Sequence, residues 1–383
     1  MKTRVIAAVI ALSLSASYSV AQQSHVYVSN GDSGTVTAYT LDKSAEKLIP
    51  IGEYQTGLKS MPMAVSADKK TLYVSVRSKP YHVSAWHIHD DGTLSHFEDT
   101  PLPEAMAYIT LDKTGKFLLS SSYGGDLFAI NALTAEGTVK SPPVEIIHTG
   151  KRAHSIQTDP TNRYLYVPLL GADQFLQYRF DSTTGKVTPN TPPFINIQRE
   201  SATGPRHFAF APQPDQQGQQ NIYLLTEMAG NISRLTVNSD GTTTEHEATP
   251  SVAPDILATL QRGEARPLTG DDDLPKSAKP RIWQADIHVT PDGHYLYSTE
   301  RTTSHITGFR ISPVDGKLTL INSIKTQAQP RGFAIDNSSH FLIESGQKSS
   351  ELSLYTIDKQ SGKLTLVGTA PTGKGANWVS IVE

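Results

Sequence analysis

The sequence predicts an all-β chain folded as a seven-bladed β-propeller, closed by pairing of the C-terminal strand with the N-terminal strands. Three observations predict it. A hairpin pattern recurs along the chain, the two termini supply complementary parts of one repeat, and 383 residues with 37% hydrophobic content suit one large β architecture.

The repeat governs the rest. "PMAVSADKKTLYVSVR", "AYITLDKTGKFLLSSS", "HSIQTDPTNRYLYVPL", "DIHVTPDGHYLYSTER" and "GFAIDNSSHFLIESGQ" each read as an alternating apolar run, a Pro/Asp/Gly/Asn turn and a second apolar run. A second hairpin follows most of them, as in "HITGFRISPVDGKLTLI" and "ELSLYTIDKQSGKLTLV". The second strands align on Tyr27, Tyr73, Leu118, Tyr166, Leu224, Tyr297 and Ile343, at intervals of 46, 45, 48, 58, 73 and 46 residues. A four-stranded unit of about 40–50 residues is a propeller blade, so seven anchors predict seven blades. The chain opens in a second strand, "HVYVS", and ends in a first strand, "NWVSIV". Their pairing would close the ring and remove a free sheet edge.

Residues 1–21 read as a secretory signal: Lys2 and Arg4, an apolar "VIAAVIALSL" too short to span a bilayer, then a small-x-small "SVA". The expected mature domain is therefore 22–383, and the expected compartment is a bacterial periplasm. No other stretch is apolar enough to cross a membrane. The chain has no cysteine, so disulfides and thiolate chemistry are excluded, and a net charge of −3 gives no footprint for nucleic acid. Residues 260–280, polar and patternless, read as a loop inserted in the ring. Their "DDD" (271–273) lacks the spaced oxygen ligands of a Ca²⁺ loop and reads as a solvated acidic run.

With strands named A to D from the channel outward, antiparallel order sends the D–A and B–C connections to one face. The other face carries ordinary polar turns such as "DPTNRY" and "PVDGK". On the first face, Met63, His154, Arg206, His207, Asp286 and Arg331 stand at the start of strand A, and Arg77, Glu227, Arg301 and Gln347 follow strand B. In "TGPRHFAFAP" and "AQPRGFAID" the proline ends the incoming loop and the arginine stands at the top of the innermost strand. Pairing is expected to set Arg206 beside Glu227, and Asp286 beside Arg301. Two rim ion pairs would account for that much. Together with His154 and Arg331 at the same mouth, the set reads as a functional pocket. His87 and His89 in "HVSAWHIH" share a strand face as a metal pair would, but the stretch reads as exposed outer strand. No metal or cofactor site is expected, and there is no P-loop, G-x-S-x-G or H-E-x-x-H.

"GPRHFAF", "WQADIHVTPDGHYLYSTERT", "QPRGFAID" and "SGQKS" resemble the lactonase family of seven-bladed propellers, over nearly all of the expected mature chain. That family includes bacterial 6-phosphogluconolactonase and the fungal carboxymuconate-cyclising enzyme. The resemblance implies metal-free hydrolysis of a small-molecule lactone, 6-phospho-D-glucono-1,5-lactone, with His154, Arg206, Glu227 and Arg301 as catalytic residues. Arg77, His207, Asp286, Arg331 and Gln347 are expected to bind substrate. His154 or Glu227 would be the base. A muconate-type cyclase or lactone isomerase, and a non-catalytic binding propeller, are the other classes the fold admits. Two features depart from the resemblance: the secretory signal and the 260–280 insertion.

Overall fold

The computed structural model describes residues 24–197, 202–268 and 274–383. The expected signal and the acidic run at 271–273 lie outside these residues. The described chain forms seven four-stranded antiparallel sheets arranged as a propeller. Its only α-helix among the described residues is the single turn Pro254–Leu257, within the connection between blades 5 and 6.

Closure is as expected. Blade 1 takes its innermost strand, Ala376–Val382, from the C-terminus and its other three, Ser24–Asn30, Thr35–Asp42 and Lys47–Gln55, from the N-terminus. The seam pairs His25 with Val382 and Ser29 with Trp378. In the remaining blades the innermost strands are Ser60–Val65, Tyr108–Leu111, Gln157–Thr158, Pro205–Phe210, Gln284–Val289 and Pro330–Ile335.

Burial follows from this layering. Second strands such as Thr71–Val76, Tyr295–Glu300 and Phe341–Gly346 are buried at every position, because each has a neighbouring blade on both faces. Outermost strands such as Lys47–Gln55 are largely solvent-facing. The core is a set of inter-blade layers. One joins Tyr73, Val83 and Ala85 of blade 2 to Met106, Ile109 and Leu118 of blade 3. No helix among the described residues is long and apolar enough to cross a membrane.

The tyrosine anchors are latches between blades. Tyr27, Tyr73, Tyr166, Tyr223 and Tyr297 each donate their hydroxyl to a glycine carbonyl in the next blade's outer hairpin turn: Gly92, Gly137, Gly241, Gly316 and Gly362, at 2.7–3.0 Å. The anchor of blade 5 is therefore Tyr223, one residue before the expected Leu224, and that of blade 3 is Leu119, one residue after the expected Leu118, because Leu119 packs toward the following blade and Leu118 toward the preceding one. These glycines all have positive φ. At Gly241 a Cβ would lie 2.0 Å from the Tyr164 ring, so both conformation and space exclude a side chain.

Replacing Tyr166 or Tyr223 by Phe is expected to lower the unfolding free energy by about 1–2 kcal/mol each, since a buried carbonyl loses its donor. Gly241→Ala is expected to cost more than Tyr166→Phe. Urea titration of the three variants checks the order, and a milder Gly241→Ala would count against the latch.

Candidate functional site

The innermost strands do not run straight to the upper face. Register shifts occur at their upper ends in five blades: beside Asn377 in blade 1, between Ser60 and Met63, Pro205 and Phe208, Gln284 and Ile287, and Pro330 and Gly332. A β-bulge inserts an unpaired residue and re-aims its side chain. Met61, Arg206, Arg331 and Asn377 occupy these irregular positions, and all four line one cavity of about 620 Å³. The arginine after each proline is thus turned into the channel by a bulge.

The same cavity takes His154, Glu227 and Arg301, together with Arg77 and Gln347. His154 comes from the loop before the short inner strand of blade 4, fixed by its N–H to the Pro168 carbonyl at 3.1 Å. Glu227 follows the second strand of blade 5, and its N–H donates to the Gly204 carbonyl at 2.7 Å. Arg301 follows the second strand of blade 6, and its N–H donates to the Trp283 carbonyl at 3.0 Å.

One carboxylate oxygen organises the cluster. Glu227 Oε2 accepts from Arg206 Nε at 2.8 Å and from Arg301 Nη2 at 2.9 Å. Arg206 Nη1 donates further to the Ala285 carbonyl, and Arg301 Nη2 to the Gln284 carbonyl at 2.8 Å. All three side chains are buried, Arg206 to 1% exposure. Burial brings the Arg206 guanidinium down to about 10, with the Arg331 charge adding to the effect against Glu227, so it remains a cation at neutral pH.

His154 is 5% exposed, and its Nδ1 is buried with no hydrogen-bond partner among the described residues. That leaves Nε2 to meet a ligand. Burial, then the Arg206 charge, with those of Arg331 and Arg301 adding to it, hold its pKa well below the usual imidazole value. The ring is neutral at physiological pH and able to accept a proton.

Two expectations are corrected. Arg301 pairs with Glu227, not with Asp286. Asp286 and His207 do not line the upper cavity. They face a second cavity of about 270 Å³ with Tyr108, His288 and Trp378. Lys113 and Pro160 from the A–B turns also line it, which places it toward the lower mouth. The bulge that turns Arg206 upward leaves His207 on the lower side. Asp286 there accepts from His207 Nδ1 at 2.8 Å and from His288 Nε2 at 3.0 Å. Burial opposes its charge, yet these contacts hold the carboxyl well below the usual range. His207 is pushed down to about 3, by burial first and Arg206 next, and so is neutral. Met63 is likewise in the core between blades 1 and 2, while Met61 reaches the cavity.

Sequence reasoning missed Trp283, Tyr123 and Arg266. The Trp283 ring lies 3.8 Å from the Arg301 guanidinium carbon, and Tyr123 packs edge-on against His154 at 5.6 Å. An aromatic residue beside each polar cluster was the available signal. His87 stacks on Phe97 in the outer strands, away from the site. Among the described residues no group of three or more His, Asp or Glu is placed to hold a metal.

This geometry, a neutral imidazole facing two arginines fixed by one glutamate at the mouth of a seven-bladed ring, fits acyl chemistry at an ester. A family model for the seven-bladed β-propeller lactonases matches residues 21–381. The chain belongs to that family, and is a lactonase, a carboxylic ester hydrolase. It is 34% identical over 356 residues to 6-phosphogluconolactonase of Yersinia pestis (strain Pestoides F), covering 93% of this chain and 97% of that one. To the Yersinia enterocolitica 6-phosphogluconolactonase it is 33% identical, covering 93% and 98%. Among solved structures, a Lactobacillus plantarum protein superposes with a TM-score of 0.78 at 23% identity, covering 94% and 100%. The periplasmic gluconolactonase of Pseudomonas aeruginosa does so at 0.76 and 18% identity, covering 94% and 99%. At these identities the two structures show the shared fold.

The His154 ring is expected to titrate below the ordinary imidazole value of about 6.5. Arg331→Gln removes a cation that opposes protonation, so it should move that titration upward. NMR titration of the ring in both proteins decides it.

Proposed function

We propose that the protein hydrolyses 6-phospho-D-glucono-1,5-lactone to 6-phosphogluconate without a metal, in the periplasm. The curated relatives at 34% and 33% identity support the substrate, and the leader-like residues 1–21 support the compartment. The observation that carries the mechanism is the sharing of Glu227 Oε2 by Arg206 and Arg301.

That sharing supports the following roles. Glu227 is committed to holding two guanidinium groups, so His154 is the base. A water positioned between His154 and the lactone carbon loses a proton to Nε2 as it attacks. Charge develops on the former carbonyl oxygen, where Arg206 and Arg301 are already fixed. Collapse breaks the bond to the ring oxygen, which takes the proton back from His154. The product acid then ionises. Arg331, Arg77 and Gln347 line the same cavity and bind the rest of the sugar, the arginines taking its phosphate. A cation would compete here with two arginines for the one buried carboxylate, which supports a metal-free reading.

The test is opening of 6-phosphogluconolactone and of unphosphorylated gluconolactone, side by side, with purified protein. His154→Ala and Arg206→Ala are each expected to lower kcat at least about a hundredfold, with far-UV circular dichroism unchanged. Wild-type rates in both variants would remove them from the mechanism. The leader favours a second reading, an unphosphorylated sugar lactone. It wins if gluconolactone is opened faster.

A further inference from the structure

The part of the insertion that leads up to Leu268 runs along the upper mouth, where Arg266, Pro267 and Leu268 line the cavity. It is pinned first where Gly263 N–H donates to the Met228 carbonyl at 2.9 Å, so close that a Cβ would lie 2.3 Å from the Ile282 carbonyl oxygen. It is pinned again at Arg266. The Arg266 guanidinium carbon lies 3.9 Å from the centre of the Trp283 ring, and Arg301 lies 3.8 Å from the same centre. Two guanidinium groups cannot occupy one face at those distances, so the indole is held between them. The Arg266 carbonyl accepts the Tyr123 hydroxyl at 2.6 Å. Tyr123 is the residue whose ring meets His154.

Arg266 therefore connects the neighbour of Arg301, in blade 6, to the neighbour of His154, in blade 3. The short way between those blades crosses blades 4 and 5, which carry His154, Arg206 and Glu227. Leu268 continues along the rim, where a Cβ on Gly124 would lie 3.5 Å from it. The other half of the cavity, lined by Arg331, Gln347, Asn377 and Arg77, has no such strap among the described residues.

We infer that Arg266, with Pro267 and Leu268, determines specificity by roofing the reactive half of the cavity. The inference rests on the lactonase reading above. The lactone carbonyl must enter under the strap to reach His154 and the two arginines. The carbon next to the carbonyl enters with it, so that carbon can carry only a small group such as hydroxyl. The rest of the sugar extends to the open half, where its substituents can be larger. The substrate class is thus an aldonolactone with a small group at C2.

The experiment compares kcat/KM for glucono-1,5-lactone and its 2-acetamido-2-deoxy counterpart, each with and without a 6-phosphate. Wild type, Arg266→Ala and Tyr123→Phe are measured. Wild type is expected to favour the parent at least about tenfold, and each variant to shrink that preference by about tenfold, the scale of a steric pocket effect. Tyr123→Phe removes only the hydroxyl that holds the strap, so it serves if Arg266→Ala does not fold. Equal turnover of the two lactones by wild type, or an unaltered preference in the variants, overturns the inference. Wild type that opens none of the four overturns the lactonase reading, and the strap inference with it.

Discussion

The structure depends on each blade gripping the next around a ring that has to close. Five of the grips are the same hydrogen bond, from a second-strand tyrosine to a glycine carbonyl in the following blade. Where the tyrosine is missing, other contacts take over. Blade 3 has Leu119 at the tyrosine position, packed in the apolar layer it shares with blade 4, where a Cβ on Gly185 would lie 2.5 Å from the Phe117 ring. Between blades 7 and 1 the contact is an ion pair, Lys43 to Asp336 at 2.8 Å. A buried carbonyl without its donor costs free energy, so these contacts hold neighbouring sheets at one spacing. The site needs that constancy, because its residues come from different blades.

The Arg206–Glu227–Arg301 cluster shows the dependence most directly. Burying two cations against one carboxylate leaves net positive charge in a poorly solvated place, which is unfavourable in isolation. The Ala285 and Gln284 carbonyls and the face of Trp283 offset part of that cost. These groups belong to blade 6, while Arg206 and Glu227 belong to blade 5. A small shift between the two blades would leave the charges unmatched. Held in register, the same excess positive charge suits an oxygen that becomes anionic during reaction.

The ring was legible in the sequence because hairpin grammar is local: alternating strands, turn residues and a steady interval locate five of the seven anchors, and those of blades 3 and 5 to within one residue. Arg206 beside Glu227 was legible too, since both lie at the upper end of one strand pair. Asp286 beside Arg301 followed from the same logic and was wrong. The bulge at Ala285 and Asp286 breaks the alternation, and Arg301 finds its carboxylate across the blade boundary. No strand-pairing rule encodes contacts between blades. Tyr123 and Arg266 escaped for the same reason, since they are 143 residues apart and meet only in the folded ring.

The misplacement of His207 and Asp286 carries its own lesson about the channel. His154 and His207 stack edge to face at 5.1 Å and form a wall between the two cavities. Above that wall the charged groups around His154 are mostly arginines. Below it, Asp286 is bound to two histidines. Had Asp286 faced upward, its charge would have favoured a protonated His154 and opposed the build-up of negative charge beside it. Separating the carboxylate from the upper cavity by two imidazole rings keeps His154 neutral and the arginines available. In this fold, one bulge per strand is enough to decide which side of that wall each side chain occupies.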